Sequence, residues 1–398
     1  MKDSFRFLRQ LLLCVVIGLA AACAAVMILG GGGKSLRLVT EDQYSIIERY
    51  SRLDQVYTTL MEDYYTEPDS DSLVLGAIRG MMSSLDDPYT FYYTTEEMQA
   101  TQADDEGRFH GIGIVIQQSD SAVKVIRVYE GSPAASAGML AGDVITGVDG
   151  SAVDSVAAAT ELIVGEDGTE VIVTVRRGEE TLDLSCVRAE VVASHVTCRV
   201  LDDGIGYVCI SQFSGDDVTG LQSAIAELQE AGVRGLVLDL RNDPGGYLDH
   251  CVAVADELLP EGLVCYTLDR EGSREEQHVD SDYWDIPMVV LVNGGSASAS
   301  ELFTGAFQDD GRGLVVGTTT YGKGIVQNVI TFGSDGAGMQ YTSSTYYTPL
   351  GRSLHKTGIT PDIVVELTGT DTSVGEPDPS IDDQLAAAIE ALEGLISP

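Results

Sequence analysis

The chain has 398 residues, of which 44% are hydrophobic and 21% charged, so its size and composition predict two or three folded domains rather than a disordered chain. Its 23 basic and 62 acidic residues give a formal charge of -39. Such a surface repels phosphate backbones, so nucleic acid is excluded as an expected partner. The charge by itself identifies no substrate.

The first predicted element is an apolar run from Leu11 to Leu29, preceded by Lys2, Arg6 and Arg9. A helix rises about 1.5 Å per residue, so this run approaches the roughly 30 Å hydrocarbon core of a bilayer. Basic residues stay on the cytoplasmic side. We therefore predict that residues 1–33 form a cytoplasmic tip and an uncleaved transmembrane signal anchor, with the remaining chain extracytoplasmic at the cell membrane.

Two alternatives for this terminus stay open. The small residues Ala20 to Ala25 are compatible with a cleaved signal peptide, and Cys23 with a lipoprotein.

Residues 34–104 are predicted to form a helical region. Apolar residues from Ile46 to Leu60 recur mainly at intervals of three and four, and a second helix is expected over Leu73 to Met82. Pro88 disfavours helical geometry in the residue before it, so the segment from Leu85 to Tyr89 is expected to end this helix.

Residues 105–190 are predicted to form a compact, β-rich module that carries two helices. Short strands are expected at Gly113 to Gln117 and Val123 to Val128, and Val171 to Arg176 alternates apolar and polar residues. A helix is expected from Asp154 to Val164, with Asp154 as its cap.

Residues 191–368 follow an α/β pattern. Strands are expected at Gly206 to Ile210, Gly235 to Leu240 and Met288 to Val292, with a helix from Val218 to Ala231, which together predict a central sheet covered by helices. Three more strands are assigned to the same sheet: Leu314 to Gly317, Val326 to Thr331 and Gln340 to Tyr347. Residues 369–398 are predicted to be a linker and an amphipathic helix near Asp382 to Leu395.

The five cysteines beyond residue 30 show no C-x-x-C pair and no Cys/His cluster, so no zinc site is expected. We expect these cysteines to be small buried hydrophobes rather than a disulfide framework. A pairing of Cys198 with Cys209 stays open.

The strand that ends at Val292 runs into the small-residue segment Asn293 to Glu301, which contains Ser298. A serine in such a turn can face a cleft, and the amides at the start of the following helix can stabilise a developing negative charge. A purely structural reading is also available, in which Ser296 or Ser298 caps the helix and Glu301 completes a capping box.

Lys323 lies between two glycines in otherwise apolar sequence. A buried lysine has a lowered pKa, so its neutral amine can accept the proton of a serine hydroxyl. Gln327 follows four residues later and is a candidate for orienting that amine. None of the five histidines lies in a protease context, so a histidine triad is not expected.

The segments Gly295 to Glu301 and Gly317 to Gln327 closely resemble the active-site blocks of the carboxyl-terminal processing, or tail-specific, serine proteases. The similarity extends over nearly the whole chain beyond the apolar run. It implies that Ser298 is the nucleophile, that Lys323 is the base and that Gln327 belongs to the site. It also implies a core similar to crotonase and Clp protease.

The segment Asp239 to Gly246 resembles the part of this family that supplies one amide of the oxyanion hole. The resemblance implies that Gly245 or Gly246 donates, without deciding between them, and that the amide of Ala299 is the partner.

The module at residues 105–190 resembles a PDZ domain in its bacterial arrangement. In such a domain, exposed loop amides bind a terminal carboxylate and the peptide adds as a strand to the sheet edge. The residues that resemble this loop and the first binding strand are Phe109, His110, Gly111, Ile112, Gly113 and Ile114.

Together these observations predict an α/β multidomain protein with an N-terminal membrane helix, a helical platform, a PDZ-like module and a protease core of mixed sheet flanked by helices. The expected function is that of a membrane-anchored serine endopeptidase that binds the free carboxyl terminus of protein or peptide substrates and cleaves them without a metal or other cofactor. A homo-oligomer or an activating partner is compatible with this prediction. The competing hypothesis is a catalytically silent, membrane-anchored PDZ adaptor.

Overall fold

The computed structural model describes residues 15, 40–119, 122–129, 131–178, 180–192, 194–280, 282–333, 335–366 and 378–397. The predicted anchor, Leu11 to Leu29, lies outside the described residues except for Val15, and so does most of the predicted linker after residue 368. Within the described ranges, no helix is both long enough and apolar enough to cross a membrane.

The chain divides into two compact units, residues 1–78 and 79–398. In the first unit, helix α1 (Glu41–Asp63) begins at Thr40, whose side chain forms a capping box with Gln43. Helix α2 (Ser70–Ser83) follows, as the sequence predicted, and its last residues, from Arg79 on, belong to the second unit.

Two further elements of the second unit precede the β-rich module, strand β1 (Phe91–Tyr93) and helix α3 (Thr95–Asp105). The sequence pattern predicted a helical region over residues 34–104 and no strand within it, so the strand is a correction. Its three aromatic residues pair with a strand almost 250 positions later, a contact that local periodicity does not reveal.

The β-rich module contains a six-stranded antiparallel sheet, a separate two-stranded ladder and two helices around a core of valines and isoleucines. Ser155 caps the second helix by accepting the Ala158 N–H at 3.3 Å, so the predicted cap at Asp154 is wrong by one residue. The elements are β2 (Arg108–Gly111), β3 (Ile114–Ser119), β4 (Ala122–Val128), α4 (Pro133–Ser136), β5 (Val144–Val148), β6 (Ser151–Ala152), α5 (Val156–Ile163), β7 (Glu170–Arg177), β8 (Glu180–Val187) and β9 (Ala189–Val192).

The α/β core follows the module and contains two sheets. Its elements are β10 (Val196–Leu201), β11 (Ile205–Ile210), α6 (Asp217–Ala231), β12 (Gly235–Asp239), α7 (Leu248–Leu258), β13 (Gly262–Asp269), β14 (Arg274–Val279), β15 (Met288–Val292), α8 (Ala299–Asp309), β16 (Leu314–Gly317), β17 (Ile325–Thr331), β18 (Gly338–Tyr347), β19 (Ile363–Val364) and α9 (Asp383–Ile396).

The central sheet is mixed and has the order β10-β11-β12-β15-β16-β19. The first pair is antiparallel and the others are parallel. Residues of β12 and β15 are fully buried because helices α6, α7 and α8 cover one face and α9 covers the other. The predicted central sheet covered by helices is confirmed.

Strands β17 and β18 do not belong to that sheet, which corrects the assignment made from the sequence. They form a second sheet with β13, β14 and β1. Both sheets are built from similar apolar and β-branched residues, so the pattern of a strand does not specify which sheet it joins.

The five described cysteines are free, and Cys198 is the only one of them that is not fully buried. In the β10/β11 ladder, Cys198 lies opposite Val208, and Cys209 lies opposite Thr197. No disulfide joins Cys198 and Cys209, in agreement with the expectation of buried hydrophobes.

Candidate active site

Three loops converge at one edge of the central sheet because they follow the carboxyl ends of the neighbouring parallel strands β12, β15 and β16. The first loop contains Gly245 and Gly246, the second contains Ser298 and the third contains Lys323. In open α/β sheets, ligands bind at this edge of the strands. The topology therefore brings the three segments singled out in the sequence to one place.

Ser298 is the residue at which the chain turns from the second loop into helix α8. Its backbone has φ 55° and ψ -114°, a combination that residues other than glycine rarely adopt. The residue before it is fixed by the Ala297 N–H, which donates to the Asp243 carbonyl oxygen at 2.9 Å. Such backbone strain persists only where surrounding contacts hold the chain in place, and it is concentrated at functional sites.

The carboxylate of Glu301, in the first turn of α8, connects the second and third loops. Its Oε2 accepts the backbone N–H of Ser298 at 2.9 Å and that of Lys323 at 2.8 Å. Its Oε1 accepts the Gly322 N–H at 2.7 Å and the Thr320 hydroxyl at 2.6 Å. Glu301 is fully buried, and these four hydrogen bonds compensate for the desolvation of its carboxylate.

The backbone half of the predicted capping box is thus present, since Ser298 is the N-cap residue and Glu301 accepts its N–H. The structural and catalytic readings of this segment are not exclusive. One glutamate caps the helix and also holds the lysine loop against the serine.

Lys323 lies in the loop before β17 and is half-buried. Burial lowers the pKa of its amine, whereas the negative charges of Glu301 and Asp87 act in the opposite direction with less effect. The amine lies 4.8 Å from the centre of the Tyr89 ring, within the range of a cation–π contact. A lysine in such an environment is suited to act as a base.

Ser298 and Lys323 line the same cavity, of about 470 Å³, together with Gly246 and Ala299. Apolar side chains supply much of its wall, including those of Leu302 and Val326. The cavity therefore combines the proposed nucleophile, the proposed base and an apolar surface for a peptide.

The two glycines of the first loop are in different situations. The N–H of Gly245 donates to Oδ1 of Asp243 at 2.7 Å, whereas the N–H groups of Gly246 and Ala299 have no acceptor among the described residues. A side chain at position 245 would clash with Ser298, because a Cβ would lie 2.7 Å from the serine Cβ. Gly245 therefore permits close packing, and Gly246 has the free amide.

Asp243 fastens the first loop to the second. Its carbonyl oxygen accepts the Ser300 hydroxyl at 3.1 Å in addition to the Ala297 N–H. Its carboxyl group is completely buried, which raises its pKa well above the ordinary value of 3.8.

Gln327 lines the cavity but does not contact the lysine amine in this structure. Its amide donates at 3.5 Å to the Ile325 carbonyl and at 3.4 Å to the Thr342 hydroxyl. Lys323 and Gln327 do not lie in one regular strand, because Lys323 precedes β17 and the ladder is irregular between Val326 and Gln327.

Sequence reasoning assigned the segment from Leu85 to Tyr89 to the architecture, but it reaches the site. Asp87 accepts the hydroxyls of Thr90 at 2.6 Å and Thr342 at 2.7 Å, and Tyr89 faces the lysine amine. An acidic residue and a tyrosine around a helix-ending proline give no sequence signal of this proximity.

Helix α3, immediately before the β-rich module, forms one wall of the cavity. Asp105 at its end accepts the Tyr247 hydroxyl at 2.5 Å and the Gln212 amide at 3.1 Å. Tyr247 directly follows Gly246, so the wall is attached next to the free amide.

The six residues predicted to bind a peptide carboxylate lie in β2, in the turn after it and at the start of β3. Gly111 pairs with Ala189 in the β2/β9 ladder, and the N–H groups of Ile112 and Gly113 have no acceptor among the described residues. Gly113 has φ +79°, and a Cβ there would lie 2.3 Å from that of Ser132. The turn thus requires glycine, and its two unpaired amides belong to residues that are buried in this structure.

The other members of this segment are held by neighbours. The Phe109 ring lies against Tyr129, with ring centres 5.9 Å apart, and His110 Nδ1 lies 2.9 Å from Asp167. Ile114 begins β3, the strand that packs against helix α5. The side chain of Gln118 ties the far end of that strand to α5 by accepting the Val156 N–H at 3.2 Å.

Three family models match the chain. Peptidase family S41 matches residues 204–365, the PDZ domain matches residues 111–186, and the activating protease CtpB N-terminal domain matches residues 32–97. The first match contains the three loops of the candidate site, and the second contains most of the β-rich module.

Two curated relatives are similar over most of the chain. The carboxy-terminal-processing protease of Bartonella bacilliformis is 36% identical over 357 residues, which cover 85% of this chain and 81% of that protein. The probable CtpA-like serine protease of Staphylococcus haemolyticus is 36% identical over 358 residues, covering 88% and 71%.

Two solved structures are similar as well. The photosystem II D1 C-terminal processing protease is 32% identical with a TM-score of 0.50, and the alignment covers 85% of this chain and 97% of that one. A putative S41 protease from Bacteroides fragilis, 16% identical with a TM-score of 0.57, covers 86% and 97% and shares the fold.

The fold and these similarities define a serine-type peptidase with a PDZ domain. The chain belongs to the carboxy-terminal-processing proteases of peptidase family S41.

Proposed function

We propose that this protein is a membrane-anchored endopeptidase that binds the carboxyl-terminal tail of a protein through its PDZ domain and cleaves the protein with a Ser298/Lys323 dyad. The observation that carries the proposal is the shared carboxylate of Glu301, which holds the backbones of both residues beside one cavity.

The neutral amine of Lys323 accepts the Ser298 hydroxyl proton while Oγ attacks the scissile carbonyl carbon. The resulting ammonium returns this proton to the leaving nitrogen as the C–N bond breaks, which leaves an acyl-enzyme. Water then attacks the ester, with Lys323 again accepting a proton and returning it to Oγ. Burial supports this role because it favours the uncharged amine.

The oxyanion of the tetrahedral intermediate is assigned to the amides of Gly246 and Ala299. Both line the cavity beside Ser298, and both are without an acceptor among the described residues. Free amides positioned in advance stabilise such a charge with little reorganisation. Gln327 is assigned to orienting the lysine amine, which requires its side-chain amide to break the contact with the Thr342 hydroxyl and rotate towards Lys323.

Tail recognition is assigned to the loop Phe109 to Ile114, whose free amides at Ile112 and Gly113 can bind a terminal carboxylate. A substrate pair that differs only in ending as a carboxylate or a carboxamide tests this role. The amide is expected to raise KM, and deletion of residues 105–190 should remove the difference. Equal KM values for the two substrates in the intact protein would contradict this assignment.

The anchor is proposed from the sequence, where basic residues precede the apolar run Leu11 to Leu29. Proteolysis of intact and permeabilised cells that express the full chain tests its orientation. External protease should digest the catalytic part in intact cells, and protection of that part would contradict the extracytoplasmic assignment.

The decisive experiment on the dyad is mass spectrometry of the products from a tailed model protein. Ser298→Ala and Lys323→Ala should each reduce cleavage by about a thousand-fold or more. Ser223→Ala, on the exposed side of α6, is the control and should leave the products unchanged. Full activity of either dyad variant would reject the mechanism, whereas tail binding without cleavage by the wild type would favour the adaptor.

A further inference from the structure

Tyr346 is a fully buried tyrosine whose hydroxyl has no hydrogen-bond partner among the described residues. The other fully buried tyrosine, Tyr207, donates its hydroxyl to Asp239 at 2.8 Å. Buried polar groups are nearly always paired, and an unpaired one needs an explanation. The Tyr346 hydroxyl is therefore an unusual feature of the core.

The position of this residue connects it to both members of the proposed dyad. Its backbone N–H donates to the carbonyl oxygen of Gly324, the residue after Lys323, at 3.2 Å. Its side chain lines the same cavity as Ser298 and Lys323. One strand position thus contacts the lysine loop through its backbone and shares a cavity with the serine.

The hydroxyl keeps its proton and can therefore donate a hydrogen bond. Burial and the charge of Glu301 raise the pKa of the phenol well above its ordinary value of 10.0. Ser298 is near enough to lower that pKa to a smaller extent, although the two oxygens do not form a hydrogen bond in this structure.

We propose that Tyr346 is a positioning residue for Ser298: its hydroxyl donates a hydrogen bond to the serine Oγ and thereby directs the serine proton at the Lys323 amine. A hydroxyl oxygen can accept one hydrogen bond while its own proton points to another acceptor, so both contacts are compatible. This inference rests on the proposed dyad. Tyr346 itself exchanges no proton and forms no bond with the substrate.

The substitution Tyr346→Phe tests the inference in the purified full-length chain with a quenched fluorogenic peptide that has an apolar carboxyl-terminal tail. We expect kcat and the single-turnover acylation rate to fall about ten- to a hundred-fold, with KM within twofold of the wild type. Thermal stability should be unchanged or higher, because the phenylalanine removes a buried polar group that has no partner.

Tyr347→Phe is the matched control. It removes the hydroxyl of the next residue on the same strand, whose ring stacks on Tyr266 with centres 5.1 Å apart, and it should leave kcat unchanged. A Tyr346→Phe protein with kcat within twofold of the wild type would overturn the inference, and so would one whose lower activity came with lower stability or only with a higher KM.

Ser298→Ala and Lys323→Ala, measured in the same assay, separate this inference from the proposed function. If either variant keeps its activity, the dyad itself is rejected. If both are inactive while Tyr346→Phe is unchanged, the dyad stands and only the role of Tyr346 is rejected.

Discussion

The backbone N–H of Lys323 donates a 2.8 Å hydrogen bond to Oε2 of Glu301, the same oxygen that accepts the N–H of Ser298 at 2.9 Å. The two residues of the proposed dyad are 25 positions apart in sequence, yet one carboxylate oxygen fixes the backbone of each. Glu301 should therefore control both the geometry of the site and the charge around the lysine.

Glu301→Gln tests this control. The glutamine amide replaces one acceptor oxygen by a donor that faces other donors, so the free energy of unfolding should fall by about 1–3 kcal/mol. The charge of Glu301 raises the Lys323 pKa, so its removal should move the acid limb of the kcat/KM profile to lower pH. Urea unfolding and pH-dependent peptide cleavage measure the two effects.

Glu393→Gln, at an exposed position of α9, is the control for the loss of one negative charge. It should change neither stability nor the pH profile. An unshifted acid limb in Glu301→Gln would show that the lysine does not sense this carboxylate.

The pKa of Lys323 gives a second prediction, which concerns stability. Burial lowers the pKa of the folded state below the ordinary 10.5, so the unfolded chain binds more protons between these two values. The burial therefore lowers stability at pH values below the folded-state pKa, and stability recovers as pH rises towards 10.5. Lys323→Met should be inactive and more stable than the wild type near neutral pH.

Differential scanning calorimetry over a range of pH measures this effect, with Lys124→Met, on β4 of the PDZ domain, as the control. The control should keep the wild-type dependence of stability on pH. A Lys323→Met protein that is less stable than the wild type would contradict the conclusion that burial of the Lys323 amine destabilises the folded protein.

The sequence could predict the core of this site because the chemistry-bearing segments are local. Ser298 follows a buried strand at a turn of small residues, and Lys323 lies between glycines, so each residue stands out by itself. Adjacent parallel strands then place their carboxyl ends together, which needs no further information.

The parts that the sequence did not predict depend on distant contacts. Strand β1 exists because Phe91–Tyr93 pairs with β18, and Tyr89, just before β1, lies beside Lys323. Tyr346 looks like any apolar strand residue, since burial and the absence of a partner are properties of the packed structure. The hydrophobic periodicity and the composition of a segment carry no information on such long-range contacts.

Asp243→Asn gives a third prediction. The asparagine oxygen can still accept the Gly245 N–H, while the second carboxyl oxygen, which has no partner among the described residues, becomes an amide. The buried acid has a raised pKa, so the folded state keeps a proton that the unfolded state releases above about pH 3.9. Wild-type stability therefore falls as pH rises from about 3.9 towards the raised folded-state pKa of Asp243, by up to about 1.4 kcal/mol per pH unit.

The asparagine cannot ionise and should lack this decline, so the variant gains stability relative to the wild type as pH rises. Urea unfolding at pH 5 and pH 8 measures the difference, with the exposed Asp154→Asn as the control. Identical pH dependence of Asp243→Asn and the wild type would show that Asp243 is ionised in the folded protein.

The last prediction concerns the support of the first loop, which contains Gly245 and Gly246. Arg241, 2% exposed, donates to Asp239 at 2.7 Å and to Asp382 at 2.9 Å, and so ties the end of β12 to the N-cap of α9. Arg241→Leu leaves two buried carboxylates without a cation and should lower the free energy of unfolding by about 3–5 kcal/mol. The single tryptophan, Trp284, packs against the core and can report unfolding by its fluorescence.

Arg270→Leu is the matched control, because this arginine is 91% exposed and its ion pair with Glu271 is long, at 3.4 Å. Its loss should change stability by less than about 0.5 kcal/mol, since exposed pairs contribute little. Because Asn242 and Asp243 follow Arg241 directly, the Arg241 variant should also lose kcat at temperatures where it remains folded. A stable Arg241→Leu protein with wild-type kcat would mean that the loop is positioned by its contacts to the serine segment alone.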